Sequence, residues 1–291
     1  MKPATFEYYA PTSVDEAVGL LHDLRDEEPK LLAGGQSLVP TMNLRLARPA
    51  SVIDINRTLG LSGIIREGDE WRIGAMTRHA EVEDSAQLRA EMPLLPEVVS
   101  HIGYRPIRNR GTVGGSICHA DPAAEWPMLA RLVRAGLDVR SAGGSRTVSA
   151  DEFFDGVFTT VLGEDELLTS IRFLAPQTPW RWGFSEFARK VGDFALAAVG
   201  VVLWLSDGSI SDASVVVAGA GAIPKRLDAS EVALTGAALD DLEAMREAVE
   251  AAAQAVDPMD DVHATSAYKR RLVAVLVERA LAQARNGSHG G

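Results

Sequence analysis

The sequence of 291 residues predicts an α+β protein, because helical and strand patterns follow one another without a regular strand–helix–strand alternation. Two long apolar runs, 195–205 and 210–219, are joined by a Ser-Asp-Gly turn, which is typical of an antiparallel hairpin. Apolar residues recur at helical spacing in 13–25 and in 242–256. These observations favour antiparallel strands covered by helices.

The N-terminal part begins with an amphipathic helix at 13–25, where Ser13 and Glu16 have the spacing of a capping box. The patterns that follow predict a buried strand, a second strand, a hairpin turning at Gly68-Asp69 and two helical stretches. The two strands are 30–33 and 52–55, the hairpin joins 63–66 to 71–75, and the helical stretches are 79–90 and 94–102.

The central and C-terminal elements continue this mixture. We expect a glycine-rich loop, a helix, two strands, a linker marked by Pro176 and Pro179, and a last helix that ends at Asn286-Gly287. The glycine-rich loop is 110–122, the helix lies around 128–130, the strands are 136–141 and 167–173, and the last helix is 266–285. The tail GSHGG (287–291) is expected to be mobile.

Composition excludes several functional classes. The net charge of −11 disfavours a nucleic-acid partner, and no apolar run approaches the ~20 residues of a transmembrane helix. Because the first residues lack a signal-peptide core, we expect a cytoplasmic protein that starts near Met1. The single cysteine, Cys118, cannot form an intrachain disulfide or supply the four thiolates of an iron–sulfur cluster.

Two glycine segments carry the functional hypothesis. Both have adjacent glycines followed closely by a hydroxyl side chain: the first glycine segment is 30–38 (KLLAGGQSL) and the second is 112–116 (TVGGS). Glycines allow a ligand to approach successive backbone N–H groups, and the hydroxyls of Ser37, Thr112 and Ser116 can add hydrogen bonds to phosphate. The segments therefore predict a dinucleotide diphosphate site, with ordinary tight turns as the alternative.

Longer motifs around these segments resemble a known family. AGGQSLVP (33–40), RPIRNRGTVGGS (105–116), TVGGSICHADPAAEWP (112–127) and RKVGDFALAAV (189–199) are similar to the medium, FAD-binding subunit of molybdenum hydroxylases. Carbon monoxide dehydrogenase has such a subunit, and xanthine oxidase has an equivalent domain. The resemblance spans nearly the whole chain.

The resemblance implies a two-part FAD-binding domain of the vanillyl-alcohol-oxidase (PCMH) type at 1–177, with subdomains at about 1–57 and 58–177. It also implies a smaller C-terminal domain of the CO dehydrogenase flavoprotein type at 178–291, with antiparallel strands and helices. Partner chains would be a small subunit with [2Fe-2S] clusters and a large subunit with a molybdopterin cofactor, as a dimer of heterotrimers.

In this family, electrons pass from the substrate-oxidising molybdenum chain through the clusters to FAD and then to an external acceptor. The resemblance therefore implies an electron-transfer subunit with no catalytic or metal-ligating residue of its own. A standalone flavin-dependent oxidoreductase with its own substrate pocket is one alternative. A scaffold whose loops bind nothing is another.

The matching positions also imply which residues contact FAD. Two segments would hold the diphosphate, Glu125 would replace an aspartate that accepts hydrogen bonds from ribose, and the remaining positions would lie near the flavin ring. For Phe194 the alternative is a core aromatic residue, and for Ile102 and Leu168 it is plain core packing. No lysine is present near Glu186, where some relatives have one. The implied contacts are Lys30, Leu31, Leu32, Ala33, Gly34, Gly35, Gln36, Ser37, Leu38, Ile102, Thr112, Val113, Gly114, Gly115, Ser116, Glu125, Leu168, Asp193 and Phe194.

Four further residues have weaker functional interpretations. Arg105 and Arg108 could offset phosphate charge, although exposed ion pairs are the commoner role of single arginines. Cys118 and His119 are adjacent, but without a second cysteine they do not form a metal-binding pattern.

Overall fold

The computed structural model describes residues 2–287, so four residues of the GSHGG tail lie outside the described residues. The N-terminal part is a three-stranded parallel sheet, in the order β1-β3-β2, with α1 packed against it. Ser13 caps α1 by accepting from the amide of Glu16 at 3.2 Å. Its elements are β1 (Glu7–Tyr9), α1 (Val14–Asp23), β2 (Lys30–Leu32), α2 (Leu38–Asn43) and β3 (Ser51–Asp54).

The middle part is a five-stranded antiparallel sheet, in the order β4-β5-β10-β6-β7, packed against helices. Its elements are β4 (Ile64–Glu67), β5 (Glu70–Gly74), α3 (His79–Asp84), α4 (Ala86–Glu91), α5 (Leu94–Ser100), α6 (Arg105–Arg108), α7 (Val113–His119), α8 (Glu125–Leu132), β6 (Gly136–Ser141), β7 (Gly144–Ser149), α9 (Ala150–Phe153), β8 (Phe154–Gly156), β9 (Thr159–Thr160) and β10 (Leu167–Leu174).

The C-terminal part is a four-stranded antiparallel sheet, in the order β11-β12-β13-β14, followed by three helices. Alternate residues of β12 belong to different cores: Val202 packs with the middle part, whereas Val201 packs with α11 and α12. Both faces of this sheet are therefore covered, which explains the continuous apolar run. The elements are β11 (Trp180–Ala188), β12 (Ala195–Ser206), β13 (Ser209–Ala218), β14 (Lys225–Arg226), α10 (Asp228–Leu234), α11 (Leu242–Ala255) and α12 (Ser266–Asn286).

The predicted hairpins, terminal helices and α+β class are confirmed, and two element predictions are wrong. The predicted loop at 110–122 contains α7, and the helical stretch at 79–90 breaks at Ser85. Strands β11 and β7 were not predicted from the sequence, and most residues of β7 are polar and exposed. The strand that starts at Lys30 is only half-buried because β2 lies at the edge of its sheet. Within residues 2–287, no helix has both the length and the apolar character that a membrane crossing requires.

Candidate functional site

The two glycine segments meet in the structure. A Cβ atom added to Gly34 would lie 2.4 Å from the carbonyl oxygen of Arg110 and 2.8 Å from Cα of Gly111. One added to Gly115 would lie 3.4 Å from Cβ of Ala33. The expected convergence is therefore present, and only glycine at position 34 allows the two backbones to approach this closely.

The turn of the first glycine segment, after Gly35, is exposed to solvent. Gly35 has φ +73°, in the left-handed region that favours glycine, and turns the chain from β2 into α2. Gln36 and Ser37 are exposed, and no side chain caps the start of α2. The amide of Val39 in α2 already donates to the carbonyl oxygen of Gly35 at 3.2 Å, so the donors that this turn can offer to an anion are the amides at 36–38, before Val39.

The second glycine segment is instead the buried start of helix α7. The backbone amides of Val113 to Ser116 all have partners in the protein. Their acceptors are Thr77 O (3.0 Å), Ala75 O (2.7 Å), Thr112 Oγ1 (3.2 Å) and Thr112 O (3.0 Å), in that order. The amides that the sequence predicts as diphosphate donors are therefore already paired within the protein, and Thr112, whose hydroxyl accepts from one of them, is 1% exposed.

The glycines of this segment serve packing. A Cβ atom on Gly114 would lie 2.5 Å from Cβ and 2.9 Å from Cα of Ala75, at the end of β5. Ser116 is half-buried, and its hydroxyl is the remaining polar side chain of the segment that could reach a ligand. The structure therefore keeps Ser116 as a candidate contact and gives Gly114 a structural role.

Glu125 begins helix α8 and is 7% exposed. Burial, with a smaller effect of the negative charges of Glu186 and Asp121, raises the pKa of Glu125 to about 7. A carboxyl group of this kind can hold or release a proton near neutral pH, and its oxygens can accept hydrogen bonds from ribose hydroxyls.

His101 lies beside Glu186, where the sequence lacks a lysine. Its Nδ1 lies 3.0 Å from Oε1 of Glu186, and its Nε2 lies 3.7 Å from Oε1 of Glu97. Hydrogen bonds to Glu186 and Glu97 raise the pKa of His101 to about 9. No local pattern could have found this pair, because its members are 85 positions apart.

The remaining predicted contacts divide between core and surface. Leu168 is 3% exposed in β10, and Ile102 is half-buried against the same hydrophobic cluster, so both also satisfy the core interpretation. Phe194 is 60% exposed, so its core alternative is wrong. Asp193 lies 3.3 Å from Nη2 of Arg189.

Asp193 and Phe194 line a cavity of about 310 Å³. Asp121 and Ala123, which follow α7, also line it, together with Lys269 of α12. Helix α7 therefore connects the glycine segments to this cavity.

The weaker candidates have ordinary structural roles. Arg105 contacts Glu83 and Asp84, and Arg108 contacts Glu83, so their charges are already paired. Burial raises the pKa of the Cys118 thiol to about 12, which makes it a poor nucleophile. Across residues 2–287, no group of three or more His, Cys, Asp or Glu side chains is arranged to hold a metal ion.

These features together define a flavoprotein class. Residues 4–176 match the FAD binding domain in molybdopterin dehydrogenase, and residues 182–284 match the CO dehydrogenase flavoprotein C-terminal domain. The chain belongs to this family of FAD-binding medium subunits of molybdenum hydroxylases, which are oxidoreductases.

Individual relatives match over nearly their full length. The nicotine 6-hydroxylase medium subunit of Paenarthrobacter nicotinovorans is 38% identical over 98% of this chain and 99% of its own. The structure of carbon monoxide dehydrogenase from Hydrogenophaga pseudoflava, which lacks the Mo-pyranopterin moiety, matches with a TM-score of 0.94 and 40% identity over 98% of each chain. Quinoline 2-oxidoreductase from Pseudomonas putida 86 matches with a TM-score of 0.92 and 30% identity over 99% of each chain.

FAD fits the residues that are present. The start of α2 has no side-chain cap and offers donors to a diphosphate. The exposed ring of Phe194 at the rim of the cavity can pack against a planar group. The site therefore offers a polar end and an aromatic end, as a flavin dinucleotide requires.

Proposed function

We propose that this chain is the electron-transfer subunit of a heterotrimeric molybdenum hydroxylase. It would pass electrons from [2Fe-2S] clusters on a small partner subunit to an external acceptor, while a large molybdopterin subunit hydroxylates the substrate. The support is the similarity to chains named medium subunit or medium chain. The single cysteine, which cannot hold a cluster, agrees with this division of labour. A cytoplasmic dimer of heterotrimers is part of the proposal.

The FAD diphosphate would bind at the exposed turn of the first glycine segment. The observation that carries this assignment is the uncapped start of α2, which follows the close approach of Gly34 to Arg110 and Gly111 and of Ala33 to Gly115 in the second segment. Ser37 and Ser116 would add hydroxyl donors from the two sides. The FAD-binding domain would extend over 1–177 and the C-terminal domain over 178–291.

The other end of the cofactor would lie between the middle and C-terminal parts. Phe194 would pack against the flavin ring, with Asp193, Ile102 and Leu168 nearby, and Glu125 would accept from ribose. FAD supplies the redox chemistry when bound, and the residues of this chain bind it, orient it and set the charge around it. The His101–Glu186 pair would place one positive and one negative group there.

Affinity purification of the full chain from its native cells tests the function. We expect yellow material that contains two further chains, molybdenum and iron. We also expect its flavin to be reduced by the substrate of the complex only when the molybdenum chain is present. A yellow chain that is alone and turns over a substrate by itself would support the standalone oxidoreductase instead.

Flavin content separates the third alternative. A full chain that neither carries flavin nor binds added FAD after purification would be the scaffold. Titration with FAD at micromolar concentrations, followed by flavin fluorescence, is sufficient to decide this point.

A further inference from the structure

A continuous side-chain connection joins the two glycine segments. The side-chain amide of Asn56 donates to the carbonyl oxygens of Ala33 at 2.8 Å and Leu32 at 3.3 Å. Its Oδ1 accepts from Nη2 of Arg78 at 2.6 Å. The other terminal nitrogen of Arg78 donates to the carbonyl oxygen of Arg110, two residues before the second segment.

The asparagine end of this connection is fixed. Oδ1 of Asp54 accepts from the backbone amide of Asn56 at 3.0 Å and from its side-chain amide at 2.5 Å. Oδ2 of Asp54 accepts from the hydroxyl of Tyr8 at 2.6 Å. The amide of Asn56 is therefore held in one orientation at the end of β3, directly beside the first segment.

The arginine end is also fixed from its own backbone. The amide of Arg78 donates to Oε2 of Glu81 at 2.7 Å, and Arg78 forms a β-bridge with Thr112. The amide of the next residue, His79, donates to the carbonyl oxygen of Gly111 at 3.0 Å. Arg78 therefore contacts the second segment through its main chain at Thr112, and its guanidinium group holds the backbone at Arg110, two residues before that segment.

The guanidinium group of Arg78 donates to two neutral oxygens, Oδ1 of Asn56 and the carbonyl oxygen of Arg110. Among residues 2–287, no carboxylate forms an ion pair with Arg78, unlike Arg105 and Arg108. Burial and the neighbouring charge of Arg110 lower the pKa of Arg78 from 12.5, in part offset by Glu81 and Asp54. A guanidinium that is not directly paired adds positive potential beside the place where a diphosphate would bind.

We propose that Asn56 and Arg78 are positioning residues that lock the two glycine segments into one geometry for a diphosphate ligand. The inference rests on the proposed location of FAD at these segments. The close approaches at Gly34 and Gly115 bring the segments together but do not fix them, since the first segment leaves an edge strand and its turn at Gln36 and Ser37 is exposed. The connection supplies directional hydrogen bonds to both glycine segments. Because the segments are then already ordered, less conformational entropy is lost when the ligand binds.

The test measures the dissociation constants of FAD and ADP for the FAD-stripped full chain and its variants. We expect Asn56→Ala and Arg78→Ala each to raise both dissociation constants about tenfold. ADP should respond as FAD does, because it contains the diphosphate but lacks the flavin. The double variant should be little weaker than either single variant, since both changes break one connection. Arg78→Lys should recover only part of the loss, because lysine keeps the charge without the two-pronged geometry.

Arg146→Ala is the matched control. Arg146 also donates to a backbone oxygen, that of Val161 at 3.1 Å, and pairs with Glu166, but it contacts neither glycine segment. Its removal should leave both dissociation constants unchanged. Thermal unfolding of every variant is recorded in parallel, so that a loss of affinity is read only from folded protein. If Asn56→Ala folds poorly, the dissociation constants of Arg78→Gln and Arg78→Lys decide whether the connection positions the segments.

The outcomes separate the two proposals. A wild-type chain that binds neither FAD nor ADP overturns the proposed function, whatever the variants do. A wild-type chain that binds FAD while the folded Arg78 variants bind it equally well overturns the positioning role alone. Fully additive losses in the double variant would also overturn it, because the two residues would then act independently.

Discussion

The two glycine segments share a Gly-Gly pair and a following serine, but they have opposite physical roles. In the first, Gly35 allows a left-handed turn, and the residues after it are exposed at a helix start without a side-chain cap. In the second, Gly114 and its neighbours are buried, and the amides of Val113 to Ser116 are already paired. A Gly-Gly-hydroxyl pattern therefore marks a close backbone approach, but the approaching group can be a ligand or the protein's own strand.

The difference follows from what lies next to each segment. The first segment leaves an edge strand, so its turn faces solvent, whereas the second starts a helix that packs on the end of β5 at Ala75. We call these the exposed side and the buried side of the site, and the buried side includes Glu125 at the start of α8. Each prediction below changes one side and measures whether folding or FAD binding responds.

The largest effect is expected for Gly114→Val on the buried side. The new side chain would begin 2.5 Å from Cβ and 2.9 Å from the carbonyl oxygen of Ala75, so α7 must move away from β5. We expect the free energy of unfolding of the FAD-free chain to fall by about 3 kcal/mol or more. Urea denaturation measures this change without any cofactor present.

Gly19→Val is the control for Gly114→Val. A Cβ atom on Gly19, in helix α1, would have no neighbour within 4 Å. This change should alter stability by less than about 1 kcal/mol. If Gly114→Val were as stable as Gly19→Val and lost only FAD binding, the packing role assigned to the buried side would be wrong.

The second expected effect is a pH dependence of the free energy of unfolding that is caused by Glu125. Its pKa is raised from 4.5 to about 7, so the folded chain binds this proton more tightly than the unfolded chain. The resulting stabilisation is complete below pH 4.5 and is lost as the pH rises through 7, by about 3 kcal/mol at most. In Glu125→Gln this loss should disappear, and unfolding free energies measured at pH 5 and pH 8 for the FAD-free chain test it.

A carboxyl group on the surface serves as the control for Glu125. Glu250 is exposed on α11, and Glu250→Gln should leave the change between pH 5 and pH 8 as it is in the wild type. His101 also loses stabilisation between its ordinary pKa of 6.5 and its folded value of about 9, but it is present in all three proteins. Equal pH dependence in wild type and Glu125→Gln would show that burial of Glu125 does not shift its pKa.

Local signals in the sequence predicted most of the fold. Turn residues at Gly68-Asp69 and Asp207-Gly208 located two hairpins, and Ser13 and Gly287 located helix ends, because caps and tight turns depend on a few adjacent residues. Helix α7 was missed because glycine has a low helix propensity, which the Thr112 cap and the packing on Ala75 override here.

The site was less predictable because its parts are far apart in the sequence. Motif and resemblance indicated that the two segments converge, but not that the amides of Val113 to Ser116 are already paired within the protein. The His101–Glu186 contact joins residues 85 positions apart, and the link from Asn56 to Arg78 spans 22 positions. Side-chain pairs of this kind depend on how strands and helices are arranged, which no local pattern specifies.

The third prediction concerns the exposed side. Gly35→Ala places a side chain at φ +73°, at a cost of about 1–2 kcal/mol, and within 3.1–3.2 Å of Val39 and Leu32. We expect the turn to shift and the dissociation constant of FAD to rise, measured by fluorescence titration. Gly68→Ala is matched: it has φ +61° in the hairpin turn with nothing within 4 Å, so it should lose similar stability and keep full FAD affinity.

The smallest effects separate two hydroxyls that look equivalent in the sequence. Ser37 forms no cap on α2 and is exposed, so Ser37→Ala should leave stability within about 0.5 kcal/mol and weaken FAD binding by about 1 kcal/mol, roughly fivefold. Thr112 accepts from the amide of Gly115 at 3.2 Å, so Thr112→Val should cost about 1 kcal/mol of stability and leave the affinity of the folded chain unchanged. Ser37→Ala should therefore change the FAD dissociation constant and not the free energy of unfolding, and Thr112→Val should do the reverse. If Thr112→Val weakened FAD binding as much as Ser37→Ala at unchanged stability, the hydroxyl of Thr112 would face the ligand after all, and the distinction between an exposed and a buried side would fail.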